Sequence, residues 1–77
     1  MKKWDGFDNA IIGTASLWNG NERVDVLVYD CDKMVEQLMI RDGMTEDEAI
    51  DYINFNIEGA YIGKDTPVVV WQYDDEL

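Results

Sequence analysis

Asp30-Cys31-Asp32 sets a thiol between two carboxylates, the densest group of chemistry-bearing side chains in the chain. Such a triplet could hold a cation. An EF-hand loop, however, needs oxygen ligands at later positions, where Met34 and Glu36 do not comply. Asp30 instead suits the N-cap of a helix, and Asp32 its first turn, where a carboxylate favours the positive end of the macrodipole. Cys31 then falls on the apolar stripe of that helix and is expected to pack as a small hydrophobe; exposed, its place at a helix N-terminus would lower its thiol pKa. Glu46-Asp47-Glu48 also groups carboxylates, but consecutive helical residues point in different directions. Acid–base chemistry needs one carboxyl buried in apolar surroundings to split two pKa values, and each acid here has a cap or surface role. Thr14 and Ser16 lack an activating base, and the chain has no histidine. Its six glycines form no phosphate-cradling pattern. No enzyme, cofactor or metal site is expected.

Composition then narrows the partners. At 77 residues the chain makes one small α+β domain, and folded chains of this size bury only about 60% of the surface they expose when unfolded. One cysteine permits no internal disulfide, which fits a reducing setting. No apolar run is long enough for a signal core or a membrane span, so neither secretion nor membrane binding is expected. Net charge is −11 and uneven: residues 1–41 hold five bases against seven acids, and residues 42–77 one base, Lys64, against ten acids. Such a field repels phosphate backbones and favours basic protein surfaces, so direct nucleic-acid binding is not expected. An acidic surface also serves solubility alone.

Periodicity places the elements. Asp8 to Ile12 reads as a helical turn after a lead-in whose Trp4 and Phe7 are large enough to dock on the fold. Thr14 to Trp18 and Arg23 to Tyr29 read as a hairpin, with Asn19-Gly20 supplying a type I′ turn or part of a longer loop through Glu22. Val24, Val26 and Val28 share one face of the second strand and are expected to meet the helices; Asp25, Leu27 and Tyr29 share the other. Cys31, Met34, Val35 and Leu38, broadened by Met39, make an amphipathic helix ending at Gly43. Thr45 and Glu48 write a capping box for a helix over residues 46–58, with Met44 and Ala49 at staple positions and Ala49, Ile50, Ile53 and Ile57 as its apolar face. Gly59 is placed to close that helix, and Asn56 to bond the loop after it. Val68 to Tyr73, opened by Pro67, reads as a third strand. The expected fold is β-β-α-α-β, a three-stranded antiparallel sheet with two helices on one face. The order of its strands is left open.

Two features have no purely architectural role. One is an acidic stripe on the second helix, Asp47, Asp51 and Glu58, extended by Asp42 and by the tail acids Asp74, Asp75 and Glu76; the other is the neighbouring pair Tyr52 and Phe55. Aromatics bordered by acids make a hot spot with an electrostatic rim, unless so small a fold rolls both rings into its core. Asp42, Asp47, Asp51, Tyr52, Phe55 and Glu58 are therefore the candidate partner-binding residues.

The segment from Val28-Tyr29-Asp30 to Val68 carries Leu38-Met39, Arg41-Asp42-Gly43-Met44-Thr45, Glu48-Ala49, Phe55-Asn56-Ile57, Gly59-Ala60-Tyr61-Ile62-Gly63 and Thr66-Pro67. It resembles small proteins of tailed bacteriophages that have no assigned activity. The resemblance covers about half the chain and implies a phage origin and a host-cytoplasmic setting, but brings no functional residues. By analogy of class, small acidic phage proteins include anti-restriction and anti-CRISPR inhibitors that imitate the charge of DNA. The expectation is a non-enzymatic inhibitor of a host protein with a basic surface. The alternative is an assembly protein whose exposed aromatics build a homo-oligomer.

Overall fold

In the computed structural model, which describes residues 1–72, a nine-residue strand runs without a break into a helix, and the other elements pack around that junction. After a 3₁₀ turn at Asp8–Ala10 come β1 (Ile11–Asn19), β2 (Glu22–Asp30), α1 (Cys31–Asp42), α2 (Glu46–Ile53), a π-helical turn at Asn54–Glu58, and β3 (Val68–Val70). The order β-β-α-α-β is as expected from the sequence. The sheet is not purely antiparallel, however: β1 pairs antiparallel with β2, but β3 pairs parallel with it, in the order β1-β2-β3. Two helices and a loop separate β2 from β3, and this long crossover returns the chain to run in the same direction. β3 is also shorter than expected: it ends at Val70, opposite the last residue of β2, and the Gln72 N–H donates to Asp32 Oδ2 at 3.0 Å instead of extending the ladder, while Tyr73 and the tail acids Asp74, Asp75 and Glu76 lie outside the described residues.

Local chemistry explains the boundaries. Asp30 accepts from the Asp32 N–H at 2.9 Å, which caps α1, and Gly43 ends it in the left-handed region at φ 70°. Thr45 and Glu48 complete the capping box: the Thr45 N–H donates to Glu48 Oε1 at 2.9 Å and the Glu48 N–H to Thr45 Oγ1 at 3.2 Å. The hairpin turn is Gly20-Asn21 rather than Asn19-Gly20, because Asn19 pairs with Glu22. Gly20 has φ 66° and no described non-glycine residue, Asn21 included, has positive φ, so the turn follows the II′ pattern rather than I′. Gly59 has φ −92° and is not a left-handed cap, since the helix has already loosened into the π turn.

The face of β2 that meets the helices is the opposite of the one expected. The core gathers Tyr29, Cys31, Met34, Val35, Leu38, Ala49, Ile53 and Ile57, with Leu27, Ile11 and Val69 against it. Val24 and Val26 are also buried, but on the other face and apart from this cluster. A β-branched alternation shows that a strand has two faces without saying which one the helices cover; Tyr29, the largest fully buried side chain, decides it. The lead-in docks as expected. The Trp4 N–H donates to Tyr29 Oη at 2.9 Å and its ring tilts against Tyr29 at 5.2 Å, while Phe7 is buried beneath the Arg41 guanidinium. Arg41 also donates to the Gly6 carbonyl at 2.8 Å.

Two stability measurements follow. Tyr29→Phe leaves the Trp4 N–H without its acceptor, and denaturant unfolding should show a loss of about 1 kcal/mol with an unchanged slope. Glu48 is held below its ordinary pKa of 4.5, chiefly by the Thr45 N–H and then by the Thr45 side chain. A depressed carboxyl stabilises the fold fully above its unfolded pKa and loses that contribution as pH falls through the folded value. The advantage of the wild type over Glu48→Gln should therefore be complete above pH 4.5 and shrink in more acid solution.

Candidate protein-binding surface

Burial of Ala49, Ile53 and Ile57 fixes the inward side of the second helical segment, which turns its polar residues and two rings to solvent. Asp47 and Asp51 lie four apart on α2 and share a face. Both are exposed, and among the described residues neither belongs to an ion pair. Five of the six cations are engaged elsewhere: Lys2 with Asp65, Lys3 with Asp8, Arg41 with Asp42 and Lys64 with Glu22, while Arg23 donates to Ser16; the sixth, Lys33, lines a depression beside α1. The hydrogen bond from Lys64 to Glu22 raises the lysine pKa, and the one from Lys2 to Asp65 lowers the carboxyl's. The charge of Asp47 and Asp51 therefore faces solvent without a local counterion.

Phe55 is 84% exposed and Tyr52 37% exposed, so the smallness of the fold does not draw these rings into the core. Their position follows from the switch at Asn54, where hydrogen bonding passes from i+4 to i+5 and the backbone turns less per residue. Asn56 supports the switch. Its Nδ2 donates to the Tyr52 carbonyl at 3.1 Å, one turn back, rather than to the loop ahead as the sequence suggested, because the wider turn frees that carbonyl.

The same switch divides the expected stripe. Asp47 and Asp51 keep α-helical spacing, but Glu58 is the last residue of the π turn and falls off their line. Its charge reaches Cys31 instead, together with Asp32 and Asp30. Asp42 is exposed, with its carboxylate held by Arg41 at 3.2 Å. The structure thus brings Asp47, Asp51, Tyr52 and Phe55 onto one short segment and sets Asp42 and Glu58 to either side. Trp18, Ile40 and Tyr61, exposed by 74%, 77% and 78%, were not among the sequence candidates. Ile40 was legible, since it stands off the i, i+3, i+4, i+7 stripe of α1; nothing in the spacing marked the other two.

Burial pushes the Cys31 thiol up to about 11, with the charges of Glu58, Asp32 and Asp30 adding to the rise. At neutral pH it is a protonated core group, not a nucleophile. Two surface depressions flank α1: one of about 440 Å³ is lined by Asn9, Lys33, Gln37, Ile40 and Arg41, and one of about 290 Å³ by Val35, Met39, Ile50 and Trp71 between acids. No grouping of three metal-ligating side chains occurs among the described residues, and no described helix is long and apolar enough to cross a membrane. No family model matches the chain, and neither does any curated protein or solved structure.

The state of Cys31 can be measured directly. Alkylation of the native protein at pH 8 should proceed only as fast as the fold opens and should accelerate sharply in denaturant; a rapid native reaction would show an accessible thiolate.

Proposed function

We propose that this chain is a non-catalytic binding protein of phage origin that acts in the host cytoplasm by occupying a basic, nucleic-acid-binding surface of a host protein, in the manner of anti-restriction and anti-CRISPR charge mimics. The observation that carries the reading is the exposure of Phe55 beside Asp47 and Asp51, which lack ion-pair partners among the described residues. Each part has a physical role. Unneutralised carboxylates on a chain of net charge −11 raise the rate of encounter with a basic surface, and they do so less as salt rises. An exposed phenylalanine gains most when a partner covers it, so Phe55 holds the complex that the acids steer together, and Tyr52 widens the apolar contact.

The test starts from affinity capture in nuclease-treated bacterial lysate, followed by titration of the recovered protein over a range of salt. Asp47→Lys with Asp51→Lys should weaken binding about tenfold or more and flatten its dependence on salt. Phe55→Ala should act mainly by speeding dissociation. Affinity unchanged in both variants would remove this surface from the function, and binding insensitive to salt in the wild type would remove charge mimicry.

A further inference from the structure

β1 is the first strand of the sheet and, among the described residues, it pairs only with β2. Its far side is a row of backbone N–H and C=O groups, since every second residue of an edge strand turns them outward. Natural edges of this length are commonly blunted by lysine, proline or a charge. Here the sequence from Asn9 to Asn21 contains none of these. The single irregularity is a bulge between Ile11 and Gly13, at the end nearer the helices, which leaves Gly13 to Asn19 in regular register. Leu17 is 42% exposed and Trp18 74% exposed on this regular part.

Charge fixes where two copies can meet. Two copies of a chain carrying −11 repel one another over most of their surface, and the uncharged strand is where they can approach most cheaply. The side chains are also self-complementary. When two β1 strands pair antiparallel about a two-fold axis at Ser16, Thr14 stands opposite Trp18 of the other copy, Ala15 opposite Leu17, and Gly13 opposite Asn19. A β-branched residue against an aromatic, and two apolar residues against each other, are favourable cross-strand pairs, and no like charges meet. We propose that β1 is a self-association edge, through which two copies join their three-stranded sheets into one continuous six-stranded sheet centred on Ser16. The inference does not depend on the partner-binding reading of α2, which uses a different surface.

Sedimentation of the purified full chain over a range of concentration and salt tests it. The expected result is a species of twice the 8.9 kDa chain mass whose population grows with added salt, because screening removes the repulsion between copies. This salt response is opposite in sign to that expected for a basic partner, so the two readings fail separately. Thr14→Lys with Trp18→Lys places like charges opposite each other at both ends of the pairing and should give a monomer with an unchanged far-ultraviolet circular dichroism spectrum. Ser16→Cys puts two thiols across the axis and should yield a disulfide-linked dimer on mild oxidation, at a Cα separation that an antiparallel pair supplies. A wild type that stays at 8.9 kDa at high protein and salt would overturn the proposal. So would a dimer that survives the double lysine variant, or a Ser16→Cys dimer that does not cross-link.

Discussion

The buried ring and satisfied hydroxyl of Tyr29 are the interaction on which the other contacts depend. The ring lies in the central strand, with Ile11 paired on one side and Val69 on the other, so all three strands meet at its position. Its burial beneath both helices is possible because the hydroxyl accepts the Trp4 N–H; a phenol without a partner there would leave a polar group desolvated. The bond orders the N-terminal residues in turn. Trp4 tilts on the Tyr29 ring, Phe7 fills the next space, and Arg41 closes over Phe7 and donates to Gly6. For a chain with no disulfide and a core of modest size, lead-in residues that look dispensable in the sequence are part of the core.

What the sequence made legible was set by local chemistry. Asp30, Gly43, Thr45 and Glu48 each bond within a few residues of themselves, and α1 and the start of α2 appear where those residues put them. What it hid depends on residues far apart in the chain. The direction of β3 follows from the path of a crossover, and the buried face of β2 from which side chain the helices cover; neither leaves a periodic trace. The π turn was hidden for a related reason, since Asn54 to Glu58 continue the polar pattern of an α-helix and only the geometry shows the change to i+5 bonding. At the candidate surface, the exposure and adjacency of Asp47, Asp51, Tyr52 and Phe55 agree with helical spacing. The displacement of Glu58 toward Cys31 needed the π turn, and the engagement of Asp42 by Arg41 needed the rotamer of a neighbouring side chain.

The distribution of charge gives the fold two surfaces of different character. The hairpin is neutral along β1, with its polar side chains tied together where Arg23 donates to Ser16 and Ser16 to Asp25. The helical half carries acids whose described cationic partners are few, because the lysines near the loops are engaged with Asp8, Glu22 and Asp65. On the two readings proposed above, one surface would take a neutral, backbone-led contact and the other a basic surface met through charge. Salt would then act on them in opposite directions.

Geometry links the two readings if both hold. In an antiparallel β1 pair the two-fold axis is perpendicular to the sheet, so both copies keep their helices on the same side of it. Six strands at a spacing of about 4.8 Å set the two helical layers side by side across roughly 24 Å. A dimer would then present two α2 surfaces in one direction, each with its own Asp47, Asp51 and Phe55. Against a partner with a repeated or elongated basic surface, the second contact becomes intramolecular once the first has formed, and avidity rises without a new kind of interaction. The neutral strand would therefore act on binding strength without touching the partner, by fixing the separation at which the two acidic helices are offered.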